Sequence, residues 1–142
     1  MESTDLSIDT SRRQLTDLTS DVSALCRSLG NGLLSVFVPH ATAGVALMET
    51  GSGSEADVEE LLGRLLPRDD RYRHRHGPES PGDVAVTVGH GADHVLPVLV
   101  SPSVVIPVRS GRMQLGTWQS LVLVDFNADN PRRTVRLSFL GG

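Results

Sequence analysis

Apolar and polar positions alternate with a period of two along most of this chain, and follow a helical period in only two places. Residues 3–9, Ser-Thr-Asp-Leu-Ser-Ile-Asp, alternate cleanly and Arg13–Leu18 more weakly. Together they predict a first pair of strands turning near Asp9–Arg12. Thr19-Ser20-Asp21 is a helix-start signature, followed by apolar positions at 22, 25, 26 and 29 and a terminating Gly30. Leu33–Val38 and Gly44–Met48 read as buried strands. The second helix opens at Ser54, with Asp57 three residues on as a capping-box variant. It carries the stripe Val58, Leu61, Leu62, Leu65, Leu66 and stops at Pro67. A polar loop over Arg68–Gly82 follows. Beyond it the pattern predicts strands at Val84–Val88, Val95–Val100, Val104–Val108, Met113–Leu115, Gln119–Phe126 and Thr134–Phe139, with Pro97 and Pro102 at edges or strand ends. Many strands with two helices make an α+β chain, a β-sandwich-like sheet structure carrying helices on one side. At 142 residues it is expected to form one domain, 1–142.

Composition narrows the chemistry. The hydrophobic fraction of 39% is that of an ordinary globular protein, and a net charge of −4 argues against a nucleic-acid partner. All 13 basic residues are arginine, which excludes a lysine nucleophile, a Schiff base and a P-loop lysine. The single cysteine, Cys26, excludes an internal disulfide and any multi-cysteine metal site; it lies on the first helix's apolar stripe. No apolar run is long enough to span a membrane, and the acidic, polar start is unlike a secretory signal. A cytoplasmic location is the expectation.

Five histidines, His40, His74, His76, His90 and His94, lie at strand ends or in the long loop. Strand ends of one sheet converge, so three of these imidazoles could make an open metal site; the alternative is that they are solvated loop residues. Glu49 ends the Gly44–Met48 strand. Asp125 sits in the run Leu121-Val-Leu-Val-Asp-Phe126, where alternation puts Leu121, Leu123 and Asp125 on one face and Val122, Val124 and Phe126 on the other. A carboxylate there points into a site or forms the strand's polar rim. Gly51-Ser-Gly-Ser54, opening the second helix, offers backbone N–H groups to an anion or is simply a capped connection. The Arg68–His76 run gathers phosphate oxygens or pairs internally with its own aspartates.

The stretch Ser103-Val-Val-Ile-Pro-Val-Arg-Ser-Gly111-Arg-Met-Gln-Leu-Gly116-Thr117-Trp118-Gln119-Ser-Leu121 resembles the diagnostic segment of the YjbQ family. Phe37-Val-Pro-His40-Ala41-Thr42-Ala43-Gly44 with Glu49, Tyr72-Arg73-His74, and Ala92-Asp93-His94-Val95 resemble further family motifs, and the likeness runs from about Leu6 to Leu140. The resemblance implies a sandwich-like α+β fold, a homotrimer, and a pocket with His40, His74 and His94 as metal ligands. It places Glu49 on the family's glutamate and Asp125 on a second one, as a shorter carboxylate; these two are the candidate catalytic residues. Ala41 replaces a family threonine. His90 stands where the family has asparagine, and either adds a ligand or disturbs one.

The function implied is that of a secondary thiamine-phosphate synthase of weak activity, joining hydroxymethylpyrimidine pyrophosphate to thiazole phosphate. Arg112 would face the phosphates. Gly116, Thr117, Trp118 and Gln119 complete the candidate substrate-binding set, Trp118 by stacking unless it packs a core or a subunit boundary. The cofactor expected is a divalent metal, zinc on the donor chemistry and magnesium on the pyrophosphate chemistry. Two alternatives stand beside the synthase: a metal-dependent hydrolase of a small phosphorylated or acyl substrate, and a non-catalytic trimer binding a metal or small anion.

Overall fold

A computed structural model describes residues 1–11, 13–69, 71–74, 90–127 and 130–142. The elements are β1 (Glu2–Asp9), β2 (Leu15–Asp17), α1 (Thr19–Cys26), β3 (Gly32–Phe37), β4 (Ala43–Met48), α2 (Ser54–Leu65), α3 (His90–Leu99), β5 (Ser103–Arg109), β6 (Arg112–Met113), β7 (Ser120–Asp125) and β8 (Arg132–Gly141). They form a five-stranded sheet, β1-β8-β3-β5-β6, and a three-stranded sheet, β2-β7-β4, in which all the pairings are antiparallel. The α+β class and its sandwich of sheets follow the sequence pattern. No described helix is long and apolar enough to cross a membrane.

The layers are read off β7. Leu121 and Leu123 join Leu34, Val36, Ile106, Val135 and Leu137 in the core between the two sheets. Val122 and Val124 face the opposite way, packing with Leu62 and Leu66 of the α2 region and Ala92 and Leu96 of α3. β7 is thus buried on both faces, which is why its sequence is a continuous apolar run rather than an alternation. Each of these fully buried aliphatic side chains stabilises by about 1.5–3 kcal/mol. The order is large sheet, small sheet, helical layer.

Three sequence expectations change. β1 and β2 do not pair with each other: β1 adds to β8 in the large sheet, β2 to β7 in the small one. Asp9 Oδ1 accepts the N–H and hydroxyl of Ser11 (2.9 and 2.6 Å), so the chain turns there, but out of one sheet and into the other. Val95–Val100 is not a strand; it lies in and just after α3, a third helix among the described residues where the pattern predicts two. Ala92, Asp93 and Leu96 are buried at helical spacing, and Val100 N–H still reaches the Leu96 carbonyl at 2.9 Å past Pro97. A short branched apolar run has no period that separates a strand from a buried helix. At α2 the cap is Gly53 with φ 95°, and the Glu55 carboxylate accepts the Gly51 N–H at 2.9 and 3.0 Å. The Gly51–Ser54 turn therefore already holds an anion, supplied by its own helix. The Val84–Val88 strand and most of the Arg68–Gly82 loop lie outside the described residues.

Where the sheets close over the core, Asp125 and Arg133 meet. Arg133 shares the inward face of β8 with Val135, Leu137 and Phe139, and its Nε lies 2.6 Å from Asp125 Oδ2 with both side chains almost fully buried. Arg133 Nη2 also donates to Asp125 Oδ1 (3.3 Å) and, more loosely, to Thr42 Oγ1 (3.5 Å). Beside this pair β3 ends its ladder with β8 at Phe37–Arg136, and the imidazole of His40 takes over the role of a strand carbonyl. Its Nε2 accepts the Thr134 N–H at 3.0 Å. An N–H can only donate, so Nε2 carries the lone pair and the ring is neutral. Burial pushes the His40 imidazole below its ordinary value, the Arg133 charge adds to this, and Asp125 opposes it.

Two outcomes follow. Arg133→Met strands a buried carboxylate and is expected to destabilise by about 3–5 kcal/mol, whereas Asp125→Leu/Arg133→Met recovers most of that loss; urea melts of the three proteins check this. His40 has a depressed folded value, so the unfolded chain binds the extra proton first. Its contribution is intact above about 6.5 and is lost as pH falls through the lower folded value. His40→Gln, whose amide oxygen can accept the same N–H, is expected to flatten the fall in stability below pH ~6.5 in a melting-temperature series.

Candidate metal centre

α3 begins with His90 and places His94 one turn later, so both imidazoles lie on one side of the helix. His74 arrives from the segment that leaves α2. That segment crosses α3 where Gly91 leaves room: a Cβ on Gly91 would lie 2.4 Å from Tyr72 Cβ and 2.9 Å from its Cγ. Tyr72, packed into the helical-layer core, thus fixes His74 against the helix. Ring centroids are 4.1 Å apart for His74–His94, 4.6 Å for His90–His94 and 5.3 Å for His74–His90. One nitrogen of each ring lies within 4.8 Å of the other two, with His90 buried, His94 half-buried and His74 exposed.

The donor set fits a zinc ion. Tetrahedral zinc with nitrogen ligands at about 2.0–2.1 Å sets ligand spacings near 3.4 Å, so ring rotations of about an ångström close the three onto one ion. Were the three rings to hold such an ion, its fourth position would be left to a ligand from outside the cluster. Magnesium, which takes oxygen ligands, does not match these donors.

Asp93 stands on α3 between the two histidines and faces inward, 1% exposed. Arg68, just past α2, grips it with both terminal nitrogens, Nη1 on Oδ1 and Nη2 on Oδ2, the latter at 3.2 Å. Burial holds the Asp93 carboxyl above the usual carboxylate range; the Arg68 bonds pull it down, Asp125 pushes it up and His90 lowers it. Asp93 and Arg68 also line a cavity between α2 and α3, with Gln14 and Phe126 in its wall. The helical layer therefore meets the small sheet at the Asp125 end of β7.

The residues expected from sequence fall into three places. His74 and His94 come together, and the third ring beside them is His90. His40 is not among the gathered nitrogens; its Nε2 is engaged with Thr134. Asp125 is beside His40 and locked to Arg133. Glu49 is exposed just beyond β4, whose last residue, Met48, pairs with Ser120, whereas Asp125 pairs with Ala43. The two carboxylates thus stand at opposite ends of the strand pair, separated by roughly 17 Å or more at ~3.4 Å per residue. Gly116, Thr117, Trp118 and Gln119 lie at the Glu49 end, where the hydroxyls of Thr50 and Ser120 meet at 2.9 Å. All four are exposed, Trp118 at 74%. Gln119 Oε1 accepts the Gly116 N–H at 2.8 Å, closing this segment on itself. Arg112 is exposed on edge strand β6. His76 lies outside the described residues. The signal for His90 was its four-residue spacing from His94, which has meaning only once the segment is helical.

The sequence model of the family described as UPF0047 protein YjbQ-like matches residues 4–142. A UPF0047 protein of Mycobacterium tuberculosis is 58% identical over 142 residues, the whole of both chains. Another, from Methanothermobacter thermautotrophicus, is 37% identical over 96% of this chain and 90% of its own. Among solved structures, a hypothetical protein of Aeropyrum pernix K1 superposes with a TM-score of 0.82 at 35% identity, covering both chains fully. An uncharacterized conserved protein of the YjbQ/UPF0047 family from Clostridium acetobutylicum gives 0.78 at 25%, over 96% and 99% of the two chains. With these matches spanning nearly every residue, the chain belongs to the YjbQ-like UPF0047 family.

Proposed function

We propose that His74, His90 and His94 hold a zinc ion and that the chain is a metal-dependent hydrolase of a small phosphorylated or acyl substrate. The observation that carries this reading is the convergence of three imidazole nitrogens within 4.8 Å, buried at His90 and open at His74. Zinc on three imidazoles with a fourth position open brings the pKa of a bound water near neutrality and polarises a substrate oxygen. The protein's own part is to hold the rings. α3 fixes two of them and Tyr72 positions the third, while the negative charge of Asp93 favours a cation beside His90.

This reading is preferred to the synthase that the resemblance implies. A leaving pyrophosphate needs cations arranged around its oxygens. Arg68, the guanidinium at the exit of α2, is engaged with Asp93, and the Gly116–Gln119 segment lies at the end of the small sheet away from Asp125. Imidazole donors also point to zinc rather than to the magnesium that pyrophosphate chemistry favours.

Zinc titration calorimetry is expected to show one site per chain. His90→Ala and His94→Ala should weaken it about 100-fold, and His40→Ala should leave it within a few-fold of the wild type. Hydrolysis of phenyl phosphate or phenyl acetate should vanish with chelator and return with zinc. Chelator-insensitive formation of thiamine phosphate from its two precursors, with no hydrolysis, would overturn the reading. Gly91→Ala should raise helix propensity yet lower zinc affinity about tenfold or more, because the new methyl displaces Tyr72 and with it His74. Unchanged affinity in that variant would show that Tyr72 does not position the third ligand.

A further inference from the structure

The large sheet gives one face to the core and the other to solvent. Strand alternation turns Leu34, Val36, Ile106 and Val108 inward, which leaves their neighbours on β3 and β5 outside. On that outer face Leu33 lies between Leu140 on β8 and Pro107 on β5, and Val105 sits one row further along, beside Ser35. Leu33, Val105 and Leu140 are 47%, 57% and 59% exposed, so three adjacent strands present one apolar stripe. Single apolar side chains on a surface need no explanation; a contiguous stripe marks a contact.

The stripe has a charged end. Arg109 and Arg112 are cross-strand partners in the β5–β6 pair and share a face, and Arg109 is two residues on from Pro107, so that face is the outer one. Both are exposed, and neither makes an ion pair among the described residues. Like charges directly opposite one another are destabilising, yet the register holds them together. The Asp5 carboxylate on the same face is already bound by Arg136 at 2.9 Å. In a chain of net charge −4, this is a place that welcomes a carboxylate from another molecule.

α2 carries the complement. Asp57, Leu61 and Leu65 follow at four-residue steps and stand in one row on the helix. All three are exposed, the leucines at 54% and 56%, and Asp57 has no ion pair among the described residues. This row rises ~6 Å per step. On β5 the row Arg109, Pro107, Val105 advances ~6.8 Å per step. Both surfaces therefore read charge, apolar, apolar at nearly the same pitch, with opposite signs at the charged end. Laid along β5, α2 sets Asp57 over Arg109 and Arg112, Leu61 over Pro107 and Leu33, and Leu65 over Val105. It cannot do this on its own sheet, because the small sheet separates the helical layer from the large one.

We propose that the outer face of the large sheet is the docking surface for α2 of a second copy of this chain. The contact is heterologous: each molecule gives its helix to one neighbour and its sheet to another, so copies close into a ring or continue as an open chain. None of the three clustered histidines takes part in it.

Sedimentation of the full chain over about a hundredfold range of concentration is expected to show assembly that follows mass action. Leu33→Asp and Leu61→Asp change exposed side chains, so each should stay folded by circular dichroism and sediment as a monomer. Mixing the two at high concentration should restore association but stop it at one-to-one pairs, because only one intact helix row and one intact sheet face remain between them. Asp57→Arg should weaken assembly at least tenfold, and adding Arg109→Glu and Arg112→Glu to that chain should bring it back to within a few-fold of the wild type. A wild type that stays monomeric throughout, mixed variants that do not pair, or a triple variant as weak as Asp57→Arg overturns the assignment. Assembly that survives Leu61→Asp but not Leu33→Asp puts a different surface on the sheet and overturns it as well.

Discussion

β7 has no face to give to water. Leu121 and Leu123 are committed to the space between the sheets, Val122 and Val124 to the space beneath the helices, so a slip of one residue would exchange both sets at once. The register with β4 and β2 is fixed by this double burial. Everything at the end of the strand is fixed with it: Asp125 emerges on the inter-sheet side and Phe126 on the helical side. One meets Arg133 across the sandwich and the other walls the cavity that reaches Asp93. A strand carrying almost no polar side chain thereby sets the position of the polar groups around it.

Two guanidinium–carboxylate pairs flank that strand end, one fully and one partly buried, and the two carboxylates act on each other. Asp125–Arg133 joins the sheets; Asp93–Arg68 joins α3 to the exit of α2. Buried ion pairs add little net stability over apolar packing of the same shape, because each charge loses its water before gaining a partner. Their consequence is geometric. Removing Arg133, Asp125 or Arg68 leaves a buried charge without its partner, whereas Arg68, one-third exposed, keeps some water if Asp93 is removed. His40 shows the same economy: its ring stands in for a strand carbonyl beside Arg133, in a neutral state that both burial and the neighbouring cation favour.

How much of this could be read from sequence depended on whether a segment's own period decided its structure. The two-residue side-chain period of a strand placed Leu121, Leu123 and Asp125 on one face of β7 and Val122, Val124 and Phe126 on the other, and that is their arrangement in the layers. α2 was equally legible, because five apolar residues at helical spacing admit no other structure. Its cap was not: Glu55 and Gly53 do the work expected of Ser54 and Asp57, and a left-handed glycine has no apolar signature. Residues 90–100 failed for a different reason. Valines, leucines and a proline describe an edge strand as well as a buried helix, and what decides is the surface that Val122 and Val124 offer, which is tertiary. With the helix lost, the four-residue spacing of His90 and His94 lost its meaning, and a resemblance that set His40 with His74 and His94 had nothing to weigh against it. The separation of Glu49 from Asp125 was likewise invisible until the β4–β7 register was known.

The proposed centre asks for more than three nearby rings. A dication bound to neutral imidazoles brings two positive charges to a half-buried place, and burial opposes that unless negative charge stands close. Asp93 is the only carboxylate that α3 carries, it is turned inward beside His90, and it is held there by Arg68. Without a cation the Arg68 grip neutralises Asp93. Were the three rings to hold an ion, the same carboxylate would stand close enough in charge to support it, the part that outer carboxylates play for metal-bound imidazoles generally. The pair holds this buried carboxylate in place on α3. A carboxylate carried on the same helix as His90 and His94 keeps a fixed distance from both, which one placed on a separate loop would not.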